Sequence, residues 1–506
     1  MAPARMQNRT ASLRDNPLGV TSDASTGSLS WRESDGGWRT NALGAVAGSA
    51  RRFAKSTVGR FLQDGGPGAG STLNHRGDMA KRTFGWISVS LLVVGCGASS
   101  EAPLEAVMSG LVVERSEVGG RMIVENVSGS SWDVAVTTEE VVTIGIPEGQ
   151  DEYMLAQPVA AAVVGNEVFA LDSQDGHIRV YSLDGTYQRT IGAPGQGPGE
   201  LGRPFGMVVT VDNRLLVTDF GGQKIVVYDV DGTFIEEWRP GNFPSRLFST
   251  VDGDLAHVTI APDDGPMDFF SRQAAYQRIE DGKLVGEPTL VEGMEIPSRY
   301  TVELEIAGNV MKIPAPFAPQ SVIWDVGIDG QVVIGRPSEY RFEIHAADGH
   351  VTEVSRYWAP VEIDAAERDF MVAMTESQLQ RQFPDFEIDE SAVPATKPAY
   401  ESIDVDGSGR IWVRRSGAAE RVEGDCIEDP TDIDLQGITG GGQRPCWQAS
   451  VIVDVFAPNG DYLGTADEAV GSPHDTGDLV AMPFMDENGT PQVRVVRLVF
   501  PASEGT

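Results

Sequence analysis

Histidine and cysteine are scarce in this 506-residue chain, six of the first and three of the second. That is too little for a His-rich or Cys-rich metal centre. Positive charge is scarce as well: 39 Lys and Arg stand against 74 Asp and Glu, a formal net charge of −35. The deficit is uneven, because residues 1–96 hold 12 basic and 6 acidic side chains and residues 97–506 hold 27 and 68, a net of −41. A body of that sign disfavours duplexes and polyphosphates, so no nucleic-acid partner is expected. The five histidines after Cys96 are His177, His257, His345, His350 and His474, and none forms a His-x-His or His-x-x-x-His pair. No nucleophile-elbow sequence occurs. Long helical periodicity is almost absent, which excludes helical bundles and leaves a repetitive all-β fold or a few average domains.

What is present begins at residue 79. Residues 79–96 read MAKRTFGWISVSLLVVGC, with a basic pair, Lys81 and Arg82, and then an apolar run from Phe84 to Gly95. A run of that length is too short for a spanning helix, which needs about 20 residues, and it suits a signal-peptide core. Val93-Val94-Gly95-Cys96 resembles the lipobox of bacterial lipoproteins, with Val93 in place of the usual Leu. The resemblance implies a signal peptide over 79–95, lipidation of Cys96 and a lipidated tether over 96–107. It leaves residues 1–78 as an over-extended or disordered extension and 108–506 as the body. Gly97 at the second mature position resembles outer-membrane sorting, so the expected location is the bacterial cell envelope, lipid-anchored at the outer membrane, on its periplasmic or cell-surface face. An oxidising compartment then predicts a Cys426–Cys446 disulfide within one loop.

From Leu111 onward, short apolar runs alternate with Asp-Gly, Asn-Gly and Gly-Gly turn signals. Four anchors recur at one spacing of 47 residues: Ile144-Gly145 with Ile191-Gly192, Val168–Asp172 with Leu215–Asp219, Ile178–Tyr181 with Ile225–Tyr228, and Asp184–Tyr187 with Asp231–Phe234. A unit of this length is the size of a four-stranded propeller blade. Within one unit the strands are expected near Phe205–Thr210, Arg214–Thr218, Lys224–Tyr228 and Thr233–Trp238, the last two joined by the Asp231-Gly232 hairpin. Tyr181, Tyr187, Tyr228, Phe234 and Trp238 read as core. Looser units follow at 248–291, 330–350 and 409–463, the last with the cysteine loop between its second and third strands. Asp364–Phe383 is the one convincing amphipathic helix, with Phe370, Met371, Met374 and Leu379 at helical spacing. The chain ends in Val493–Val499, which reads as a lone third strand lacking its fourth. Val141–Ile144 stands at fourth-strand position and would close the ring.

Ile191-Gly192, then Gly195-Gln196-Gly197-Pro198-Gly199-Glu200-Leu201, followed by Leu215–Asp219, resembles the NHL-like repeats of bacterial six-bladed propeller lipoproteins. The likeness spans about 130–500 and is strongest over 140–240. The fold expected is therefore a six-bladed β-propeller with four-stranded blades, an N-terminal strand closing the last blade and one helical insertion. Gly195, Gly197, Pro198, Gly199 and Glu200 read as a rigid interblade connection, with glycines for positive φ and Glu200 accepting main-chain hydrogen bonds. Without a Lys-Ser/Thr pair or a following helix they are no phosphate loop. Asp172 and Asp219 end the second strand of successive blades and suit turn capping. Asp404-Val-Asp406-Gly-Ser408-Gly lacks the distal Glu of a calcium loop and reads as a turn.

No catalytic residue, metal ligand or cofactor is assigned on this evidence. The function expected is a noncatalytic binding or scaffold propeller for a protein, peptide or glycan. The alternative is a calcium-dependent hydrolase or lactonase with an axial metal, and a His-dependent lyase or redox propeller has least support.

Overall fold

The 47-residue repeat folds into two successive four-stranded antiparallel meanders. Blade one is Pro158–Val164, Glu167–Asp172, His177–Ser182 and Tyr187–Ile191; blade two is Pro204–Val209, Arg214–Asp219, Lys224–Asp229 and Phe234–Trp238. Their hairpins form as turn chemistry dictates: Gly232 takes a φ of +99°, and Asp231 Oδ1 accepts the Thr233 N–H at 2.8 Å. The computed structural model describes residues 20–22, 29–31, 110–260, 273–306, 309–381, 383–422, 426–432, 445–466, 477–486 and 488–501. Residues 1–48 form a unit separate from 49–506, and its described part is Val20–Ser22 paired antiparallel with Leu29–Trp31. The segment 79–95, Cys96, the tether 96–107 and His474 lie outside the described residues.

Four further sheets complete a six-bladed β-propeller. Blade three is Arg246–Thr250, Gly253–Ile260, Gln273–Glu280 and Lys283–Leu290, blade four Trp324–Val326, Val332–Arg336, Arg341–His345 and Val351–Arg356, and blade five Tyr400–Val405, Ile411–Arg415, Ile452–Phe456 and Tyr462–Ala466. Blade six joins Leu479–Met485 and Pro491–Val499 to Thr137–Ile144, so the N-terminal strand closes the ring as expected. Two details differ from the sequence reading. The C-terminal strand is not lone, since it pairs on both sides, and blade six has three strands among the described residues rather than four.

Neighbouring blades meet through apolar faces. Phe169, Leu171, Ile178 and Val180 of blade one pack with Leu215, Val217, Val226 and Tyr228 of blade two, all essentially inaccessible. Each such side chain contributes about 1.5–3 kcal/mol by leaving water. Tyr181, Tyr228 and Trp238 are core, as expected, whereas Tyr187 is half-buried and Phe234 is 38% exposed, both at the start of an outermost strand beside its hairpin. Polar staples supplement the apolar packing: Asp325 of blade four accepts the Val405 N–H of blade five at 2.7 Å and pairs with Arg246 of blade three at 2.9 Å.

The largest departure from expectation is the course of residues 111–144, which wrap three blades in succession. Val112–Val118 and Arg121–Ser128 form a hairpin whose second strand runs parallel to Val351–Arg356, widening blade four to six strands. The chain then crosses blade five, where the Trp132 and Val136 N–H groups donate to the Leu463 and Thr465 carbonyls at 2.6 and 2.8 Å, and enters blade six. Asn126 fastens this strap. Its Nδ2 donates to the Gly460 carbonyl at 3.0 Å and the Ser355 carbonyl at 3.3 Å, and its Oδ1 accepts the Tyr462 N–H at 2.8 Å.

Blade three presents His257 to Trp324 of blade four, ring centroids 5.0 Å apart, with Ser245 Oγ 3.0 Å from its Nδ1. Burial, reinforced by the nearby Arg246 guanidinium, holds this imidazole down to about 4. It is therefore neutral in the fold, while the unfolded chain titrates near 6.5. Protons bind the unfolded state more readily in between, so stability should fall as pH drops from about 6.5 to about 4. Glu343, held at about 2 chiefly by its hydrogen bond from His345, adds a loss of its own only below its unfolded value of 4.5, and does so in both proteins alike. Urea unfolding of the wild type and of His257→Phe should show a steeper loss in the wild type across that range. Equal slopes would contradict the assignment.

Candidate binding face

In an antiparallel meander, connections from second to third strand share one end of the ring with connections from each fourth strand to the next blade. The other end carries the remaining turns, which are two to five residues long among the described blades. Among the described residues, three long insertions rise from the first of these ends. They are the hairpin Thr301–Ile306 with Asn309–Pro314 between blades three and four, the helix Ala365–Gln380 between blades four and five, and the Cys426–Cys446 disulfide loop between the second and third strands of blade five.

The helix begins where Asp364 accepts the Ala366 and Glu367 N–H groups, a standard N-cap. It buries Phe370 and Leu379, with Met371 and Met374 half-buried. Lys397 pins the insertions together. Its ammonium, 4% exposed, lies 2.7 Å from Glu367 Oε1 of the helix, donates to the Gly417 carbonyl of the disulfide insertion at 2.9 Å and sits 5.8 Å from the Phe317 ring centroid. The helix also packs against Pro430–Asp432, and Ser298–Tyr300 against Glu390–Ala392. These contacts join three separate insertions into a cap on this face. Neither Lys397 nor Glu367 has a local sequence signature, and the sequence reading missed both.

The repeat-signature residues lie at the same end, and their side chains are occupied by the architecture. Asp172 accepts the Ala156, Gln157, Gln174 and Asp175 N–H groups at 2.7–3.1 Å. Asp219 accepts those of Gly202, Arg203 and Gly221 at 2.6–3.1 Å. Each carboxylate ties a turn to an interblade connection. Glu200 Oε2 accepts the Gly197 N–H at 2.8 Å, as expected. Tyr228 Oη and Lys224 Nζ clamp the same loop by donating to the Gly199 and Gly197 carbonyls at 2.8 and 2.9 Å. The glycines work in two ways. Gly199 has the expected positive φ of +70°, whereas Gly197 does not, and a Cβ there would press on the Glu200 carboxylate. A Cβ at Gly195 would collide with that carboxylate outright. Asp406 is likewise a turn residue, accepting the Ser408 and Arg410 N–H groups at 2.9 Å.

A cleft of about 280 Å³ lies beside the strap, and its walls include Trp132, Asp133, Arg356, Tyr462 and Thr465. Next to it Asp454, fully buried, accepts the Tyr340 and Tyr462 hydroxyls at 2.5 and 3.0 Å and pairs with Arg356 and Arg415 at 3.1 and 3.0 Å. These contacts saturate that carboxylate. His177 is the first residue of a strand, His345 bonds Glu343, and His350 is exposed. The structure does not bring these histidines together. Among the described residues, no group of three or more His, Cys, Asp or Glu is placed to hold a metal ion, and no helix is long and apolar enough to cross a membrane.

Fold and face together define the class, a six-bladed β-propeller with one elaborated end. Residues 146–269 match the model of the family DUF5128, described as a 6-bladed beta-propeller. Among solved structures, the chain is similar to a protein from Bacteroides fragilis described as exported, at 12% identity, a TM-score of 0.38 and coverage of 75% of this chain and 100% of that one. It is also similar to a member of the DUF4221 family from Bacteroides vulgatus, at 11% identity, a TM-score of 0.41 and coverage of 72% and 98%. Virginiamycin B lyase from Staphylococcus aureus aligns at 12% identity and a TM-score of 0.32, covering 71% and 99%.

Proposed function

We propose that this chain is a noncatalytic binding propeller of the bacterial cell envelope, held at the outer membrane by a lipid on Cys96 and built on NHL-like repeats. Its ligand is a protein, peptide or glycan. The observation that carries the reading is the fate of the signature carboxylates: Asp172 and Asp219, the acids that the repeat places at the elaborated end, are spent on main-chain donors. The specific residues of the repeat serve architecture, and the variable insertions that surround them supply surface. Anchoring rests on the 79–96 segment, in which a basic pair, a short apolar core and a lipobox-like Val93-Val94-Gly95-Cys96 follow in order. Two or more acyl chains on Cys96 hold a protein firmly where one holds it marginally. Residues 96–107 would then stand the propeller off the surface. Intact-mass spectrometry of the protein extracted from membranes of a bacterial host should give a chain that starts at Cys96 and carries acyl mass. A mature chain retaining residues 1–95 would sink the anchoring.

A further inference from the structure

The insertions cap only part of the elaborated end, and the top of blade two carries an open aromatic platform instead. Phe205 is the second residue of the innermost strand, Phe220 sits in the turn between second and third strands, and Phe243 lies in the connection to blade three. Their rings stack edge-on, Phe205 to Phe243 at 6.0 Å and Phe220 to Phe243 at 6.5 Å. Phe220 is 56% exposed and the other two are half-buried. One exposed phenylalanine backed by two half-buried ones makes a contiguous apolar patch, which marks an interaction site better than scattered apolar residues do.

Two arginines border the platform in a chain that is otherwise strongly acidic. The Phe220 N–H donates to the Arg203 carbonyl at 3.0 Å, and the exposed Arg203 side chain makes no ion pair among the described residues. Arg239 donates to the Gly222 carbonyl at 2.9 Å, reaches Glu237 at 3.3 Å and remains 57% exposed. The turn is rigid, because Asp219 holds the Gly202 and Gly221 N–H groups at 3.0 and 3.1 Å, and a Cβ at Gly221 would meet Arg203 N at 2.8 Å. A preorganised platform loses little entropy on binding.

We propose that this platform docks an acidic peptide segment, with an apolar side chain among Phe205, Phe220 and Phe243 and carboxylates on Arg203 and Arg239. Phenylalanine has no polar tip to hydrogen-bond a hydroxyl-covered ring, which argues against a glycan. An anionic membrane would face the acidic body over a wide area, where the net charge of −41 repels it, whereas a short peptide within a Debye length meets chiefly the two arginines. The inference rests on the binding-propeller reading and names the ligand class for it.

Isothermal titration of the full chain with N-acetylated, C-amidated octapeptides, each with one Phe or Leu among several Asp, should give saturable binding. Phe220→Ala should weaken it at least tenfold, Arg203→Glu should weaken it at least fivefold, and replacing the peptide aspartates with asparagine should do the same. Phe220 is exposed, so its variant should melt as the wild type does; Arg203→Glu, which removes no core contact, decides the matter if it does not. Absence of binding, affinities unchanged in both variants, or Phe220-dependent binding to phosphatidylglycerol vesicles in place of peptides would each overturn the inference. Turnover of ester or lactone substrates is a separate result: it would sink the noncatalytic reading, whereas loss of peptide binding without turnover sinks the docking proposal alone.

Discussion

Replacing Lys397 with methionine should cost this protein about 3–5 kcal/mol, as breaking a buried ion pair by removing one partner does. The Glu367 carboxylate would remain in the interior, 7% exposed, having lost the ammonium 2.7 Å away. Its other oxygen is already without a hydrogen-bond partner, so no alternative donor is at hand. The Gly417 carbonyl would lose its donor as well. The double variant Lys397→Met/Glu367→Leu should recover most of the loss, because removing both charges removes the uncompensated one. Urea unfolding of the single and double variants measures both quantities. If the double variant is no more stable than Lys397→Met, the pair does not hold the cap in the way described.

Asn126→Leu should be nearly as damaging, on the order of 3 kcal/mol. The substitution keeps the side-chain volume but withdraws the acceptor of the Tyr462 N–H and the donor to Gly460 and Ser355. Buried groups left without partners cost about 1–3 kcal/mol each. The strap should also loosen, so limited proteolysis should cut within residues 111–136 before it cuts any blade. A variant as stable as the wild type within about 0.5 kcal/mol, or one cut first elsewhere, would show that the strap is held by other contacts.

These two side chains also mark where the sequence stopped being legible. Blade two was readable almost to the residue: expected strands at Arg214–Thr218 and Lys224–Tyr228 became Arg214–Asp219 and Lys224–Asp229. The reason is local, since period-two alternation and Asp-Gly turns act over a few residues and the repeat supplied a second copy to compare. The helix was readable for the same reason, its observed span Ala365–Gln380 lying inside the expected one. The strap was not. Its parallel pairing of Met122 with Thr352 joins residues far apart in the chain, and nothing in the alternation of Arg121–Ser128 says which edge it will find. Asn126 reads as any polar residue in a strand until Gly460 and Tyr462 arrive beside it. At the elaborated end, Asp172 and Asp219 were visible because they repeat, and Glu200 because it stands in the glycine-rich segment Gly195–Leu201. Phe220 was not, because Asp219-Phe220-Gly221-Gly222 reads first as a turn.

On the function proposed above, the elaborated end binds and does not catalyse. A calcium-dependent hydrolase on such a ring would need carboxylates and amides from several blades converging on one axial ion with a water beside it. The carboxylates most regularly placed for that role, Asp172 and Asp219, instead accept three or four main-chain N–H groups each. The most direct measurement is turnover of a panel of lactones and esters by the purified chain, with calcium titrated calorimetrically in parallel and then removed by chelator. The account predicts no turnover above the chelated control and at most weak, nonspecific calcium binding to an acidic surface. Stoichiometric calcium binding together with turnover that chelation abolishes would contradict it.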